Sequence, residues 1–67
     1  MMKEYILRMY ATAMQIAYDV VDFTFTAPLH VLESMLRESG FWCEEVAPSG
    51  WQGWRNVDGE YAIIEEV

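Results

Sequence analysis

Residues 3–27 read KEYILRMYATAMQIAYDVVDFTFTA, and whether they form one helix or two strands settles the architecture of everything after them. Residues 3–21 contain no Gly, Pro or Asn and include three Ala, two Met, one Leu and one Gln, which suits a helix. Glu4, Arg8, Thr12, Gln15, Asp19 and Asp22 recur every three or four residues, and Ile6, Met9, Tyr10, Ala13, Ile16, Ala17 and Val20 run opposite them. That period is helical, not alternating. The competing reading is a pair of strands with YDVVDFTFTA as the second, but it needs a turn near Thr12–Gln15, where no turn residue stands. One helix through about Val21 is therefore expected, with Phe23–Thr26 as an extended connector or short strand. More large apolar residues fall in this helix than one face can hide, so some are expected to be exposed or to meet a partner.

Thr26-Ala-Pro28 opens a second helix, with Thr as the expected cap and Pro in the first turn. Leu29, Leu32, Met35 and Leu36 form its buried stripe, Glu33 and Arg37 pair on its wet side, and Gly40 stops it. FWCEEVA then reads as a strand ended by Pro48-Ser49-Gly50, and the rest as a hairpin with Asp58-Gly59 as a two-residue turn. This turn sets Arg55 opposite Ala62 and Trp54 opposite Ile63. Trp54, Tyr61 and Ile63 are then expected on the core face, with Val57, Arg55, Ala62, Ile64, Glu60 and Glu66 on the other. The expected fold is α+β: two helices packed on one face of a three-stranded antiparallel sheet, in the order α-α-β-β-β, as a single domain over residues 1–67.

At 67 residues the chain has room for one core. Ordering costs roughly 1.5 kcal/mol per residue, and one cysteine, Cys43, permits no internal disulfide. Stability must come from apolar burial; three Trp, four Tyr and three Phe supply much of it. The N-terminus MMKEYILRMY is not expected to be a signal peptide, because Glu4 and Arg8 interrupt any apolar stretch. No run is long and apolar enough to read as a transmembrane helix. The lone thiol suits a reducing compartment, so the cytosol is the expected location.

Converging catalytic groups are not apparent. His30 is the only histidine and lies on the predicted exposed side of the second helix. Cys43 reads as a buried, inert thiol beside Glu44. Glu44 and Glu45 are adjacent in a strand and should point to opposite faces. Phosphate-loop, zinc-protease and EF-hand patterns are missing, and the acids lack the dense alternation of a calcium loop. The expectation is a non-enzyme that uses no cofactor or metal.

Eleven acids oppose four bases, for a net charge of −7, and seven of the eleven lie in residues 38–67 against the single base Arg55. Such a surface repels nucleic acid and anionic lipid and attracts basic partners. Solubility alone explains an acid excess. The sharper reading is that carboxylates imitate a phosphate backbone, whose charges fall about 1.7 Å apart along duplex DNA. Glu38, Glu44, Glu45, Glu60, Glu65 and Glu66 would lie along one rim of the sheet, with Asp58 at the turn and Trp51 beside it. Asp19 and Asp22 stand near the end of the predicted first helix, where the macrodipole disfavours acids.

The Asp19/Asp22, Glu44/Glu45 and Glu65/Glu66 acids beside a tryptophan-bearing hairpin, WRNVDGEYAII, in so small a domain give the whole chain a resemblance to the small acidic anti-CRISPR proteins of phages and mobile elements. It is most similar in character to inhibitors of type I systems, type I-C among them. The resemblance implies stoichiometric inhibition: binding a basic DNA-recognition surface of the effector complex and excluding target DNA. It transfers no functional residue by motif. The expected partner is a basic nucleic-acid-binding protein, with no direct contact to nucleic acid or membrane, and a monomer is expected ahead of a homodimer. The alternative is a small adaptor that binds a protein through exposed apolar surface.

Overall fold

A computed structural model describes residues 3–67. Its elements are β1 (Tyr5–Tyr10), α1 (Ala13–Ala17), β2 (Phe23–Ala27), α2 (Leu29–Glu38), β3 (Trp42–Val46), β4 (Gln52–Arg55) and β5 (Tyr61–Glu66). The five strands make one antiparallel sheet in the order β2-β1-β5-β4-β3. This corrects the three-stranded α-α-β-β-β expectation: the predicted first helix is a strand, Tyr5–Tyr10, and a five-residue helix, while Phe23–Thr26, expected as an extended connector or short strand, is part of β2.

The helical period of residues 3–21 has a different origin. β1 is an inner strand covered on both faces, so Leu7 and Tyr10, three apart, are both buried while pointing to opposite sides. Two-sided burial erases the alternation that a half-buried strand shows. The reversal needs no tight turn. Thr12 Oγ1 caps α1 by accepting from the Gln15 N–H at 3.3 Å, and Asp19 adopts a left-handed φ of 56° after the helix. Gln15 then ties the exit down, with Nε2 donating to the Val20 carbonyl at 3.2 Å and to Asp22 Oδ1 at 2.9 Å. Asp19 and Asp22 thus belong to a connector and not to the end of a long helix.

α2 matches its sequence reading closely. Leu32 and Leu36 are fully buried, with Leu29 and Met35 packed against the same core. Pro28 takes the N-cap position with no side-chain cap, because Thr26, the expected cap, is paired with Ile6 inside the sheet. At the other end Gly40 has φ 87°; its N–H bonds the Arg37 carbonyl, and the Phe41 N–H bonds that of Leu36. This is a Schellman stop, closed by Phe41 entering the core beside Leu36. Glu33 and Arg37 turn toward the sheet. Glu33 accepts from Gln52 Nε2 at 3.0 Å, Gln52 Oε1 accepts from Trp54 Nε1 at 2.9 Å, and the Arg37 guanidinium lies 5.3 Å from the Trp54 ring centre. The buried indole is therefore satisfied at its one polar atom and covered by a cation.

The core joins Leu7, Ala27, Leu32, Leu36, Phe41, Trp54, Ala62 and Ile64 between α2 and one sheet face. The register places Ala62, not Ile63, opposite Trp54. Tyr61 and Ile63 consequently face the other side, and Ala62 and Ile64 go inward, a reversal of the expected faces. The cause is the turn. Asn56 N–H donates to the Glu60 carbonyl, and Gly59 N–H donates to that of Asn56, so three residues and not two span the gap. Gly59 supplies the positive φ of 82° this bulged loop needs. Asn56 is buried and selects this form: Oδ1 accepts from the Asp58 and Glu60 N–H groups, and Nδ2 donates to Glu60 Oε1 at 2.9 Å. Ala47-Pro48-Ser49-Gly50-Trp51 repeats the same backbone bonds between β3 and β4.

Candidate functional site

The face opposite α2, the outer face, carries Arg8, Tyr10, Tyr61, Ile63, Gly53 and Arg55, as their pairings require. α1 covers one end of it, burying Tyr10 and bringing Ile16 over the sheet. Both helices on one face is thus corrected to one helix on each. Burial first, then the nearby Asp19 carboxylate, raises the Tyr10 phenol above its ordinary value of 10.

At the outer strand the ladder slips. Cys43 pairs with Trp54 and Glu45 with Gly53, leaving Glu44 as an extra residue. This β-bulge breaks the rule that neighbours point apart. Glu44 reaches Arg55, whose Nη1 donates to Oε1 at 3.2 Å, while Glu45 stands opposite Gly53. Both residues line one cleft of about 210 Å³ with Ile16, Trp51, Gly53, Tyr61 and Ile63. The Trp51 ring lies on Gly53: a Cβ there would stand 3.3 Å from its Cζ3. Arg55 spans the neighbouring wall, its guanidinium carbon 5.5 Å from the Tyr61 ring centre.

Trp51 also borders a second hollow of about 180 Å³ with Tyr5, Ser49, Gly50, Glu65 and Glu66. Cations already attend these two acids: Arg8 pairs with Glu65, and Lys3 Nζ lies 3.5 Å from Glu66. The Lys3–Glu66 pair is solvent-exposed and worth about 0–1 kcal/mol, so a partner's cation can replace it at little cost, whereas the Arg8–Glu65 pair is partly buried.

The remaining predicted site residues do not join this cluster. The register sets Glu65 and Glu66 at the end of β5 remote from the turn that holds Asp58 and Glu60. Glu38 ends α2, on the core side of the sheet. Asp19 and Asp22 stand in the α1–β2 connector. The ten expected residues thus form no continuous rim. Glu44, Glu45 and Trp51 share one cleft, and Glu65 and Glu66 lie across the Trp51 ring from it. Comparison with protein-family models, curated proteins and solved structures finds no match.

Sequence reasoning missed Tyr61 and Ile63, which it put in the core, and Gly53 and Ile16. Asn56, with an amide suited to bonding its own turn, was the signal that could have corrected the register. Cys43, expected to be buried, is exposed on the edge strand, with Sγ 3.7 Å from the Glu45 carbonyl oxygen. His30 is exposed on α2. Among the described residues no three His, Cys, Asp or Glu side chains converge as a metal site would require, and no helix is long and apolar enough to cross a membrane.

Proposed function

We propose that the protein is a cytoplasmic, non-enzymatic inhibitor that binds, one to one, a basic nucleic-acid-recognition surface of a partner and keeps nucleic acid off it. The partner class is the one the anti-CRISPR resemblance implies, a subunit of a type I effector complex. The observation that supports this reading best is the bulge at Glu44. It turns a doublet that would straddle the sheet into two carboxylates on one face, beside aromatic rings able to stack on cationic side chains. Bulges re-aim side chains, and here the consequence is a local anionic surface on a protein of net charge −7.

A second reading has its own support. Phe23 and Phe25 stack at 6.5 Å on the edge strand β2 and are half exposed, as an adaptor using apolar surface would need. Salt separates the two, because charge-driven binding weakens as ionic strength rises and apolar binding does so little. The test titrates the protein into a type I-C effector complex bound to fluorescent target duplex, at 50 and 200 mM salt. The inhibitor reading expects DNA release complete near one equivalent at low salt and markedly weaker at high salt. Unchanged DNA binding at tenfold excess would reject it, and salt-independent association without DNA release would favour the adaptor.

A further inference from the structure

We infer that the cleft between Trp51 and Tyr61 is a receptor for one arginine side chain. This deepens the functional reading above and rests on it for the source of that arginine, a basic protein partner. Size sets the first limit. At about 210 Å³ the cleft falls below the roughly 300–1,000 Å³ of pockets that hold drug-sized ligands, yet exceeds several times the ~30 Å³ share of a water molecule. It fits a side chain.

The lining then selects the chemistry. Ile16 and Ile63 offer aliphatic surface for a methylene stem, and the Trp51 indole offers a ring for a flat cation beside Tyr61, whose own ring already meets Arg55. Glu45 supplies the counter-charge, since it is exposed and pairs with no cation among the described residues. The molecule already shows what these groups hold. Arg55, the base nearest the cleft, sets its guanidinium against Tyr61 and gives Nη1 to Glu44, while its buried Nε–H finds no acceptor. The adjoining space has the same kinds of partner, a ring and a carboxylate, without the guanidinium. A planar fork stacks on an indole and bonds a carboxylate at its edge at the same time, whereas an ammonium meets either group only as a point charge.

The experiment is an NMR titration of isotope-labelled protein with N-acetyl-arginine amide, and in parallel with N-acetyl-lysine amide and N-acetyl-norleucine amide. Comparison with Trp51→Phe assigns the Trp51 indole N–H signal. Arginine amide is expected to shift that signal and the Glu45 and Gly53 amides saturably at millimolar concentration, more tightly than lysine amide, with norleucine amide inert. Glu45→Gln should weaken arginine binding at least threefold while leaving the remainder of the spectrum in place. Absent or non-saturating shifts, equal shifts from norleucine amide, or indifference to Glu45→Gln would overturn the assignment. Because the probe needs no partner protein, DNA release with a silent cleft would remove the receptor and keep the inhibitor. A responsive cleft without DNA release would keep the receptor and remove the inhibitor.

Discussion

Replacing Asn56 by alanine removes the device that sets the β4–β5 register. The side chain is 6% exposed and takes part in three hydrogen bonds: Oδ1 accepts the Asp58 N–H at 3.1 Å and the Glu60 N–H at 2.9 Å, and Nδ2 donates to Glu60 Oε1. A neutral hydrogen bond contributes about 0.5–1.5 kcal/mol net. Asp58 and the Glu60 carboxylate sit in exposed residues, where water takes over much of the bonding, so the expected loss is about 2 kcal/mol. In a domain this small each kcal/mol moves Tm by about 4–8 °C, which puts the fall at roughly 8–16 °C. Thermal unfolding followed by circular dichroism measures it. Asn56→Asp keeps the acceptor but sets a carboxylate oxygen where Nδ2 met Glu60 Oε1, so near neutral pH it should not restore the parent's stability. A Tm fall of under about 2 °C for the alanine variant would show that the side chain does not hold the turn.

Gly53→Val should separate stability from function, since φ there is ordinary and valine favours a strand. Strand propensity of up to about 1 kcal/mol is set against the lost packing of the half-buried Trp51 ring, so stability in urea unfolding is expected to stay within about 1 kcal/mol of the parent, while the displaced ring abolishes arginine-amide binding. Tyr10 contributes to alkaline behaviour. Its raised folded pKa means that the unfolded chain ionises first, so this contribution is intact below pH 10 and is lost as pH climbs from there through the folded value. Tyr10→Phe should flatten the fall in stability above pH 10 relative to the parent, as read by urea midpoints across that range.

The parts of the fold legible in the sequence are those governed by local rules. α2 could be read from its apolar stripe and Gly40, β3 from FWCEEVA, and Trp54 from its place in a hairpin. The N-terminal third could not, because Leu7 and Tyr10 owe their burial to two different layers and so imitate a helical period, while its Tyr, Ile and Val residues suit a strand. Asp58-Gly59 suggested a two-residue turn; Asn56, by bonding its own backbone, lengthened the loop by one residue and exchanged the faces of β5. In the candidate site, Glu44, Glu45 and Trp51 could be picked out as acids and a large ring, and the structure brings them to one cleft. Their convergence was not legible, since a bulge depends on the partner strand and leaves no mark on the doublet itself.

Charge reversal at the bulge tests the functional account most directly. Glu44→Lys combined with Glu45→Lys, shown by circular dichroism to be folded, is titrated against a type I-C effector complex on labelled target DNA. If the bulged acidic face is the binding surface, the amount needed for half release rises at least tenfold. Release at the parent's stoichiometry by the folded variant would contradict it.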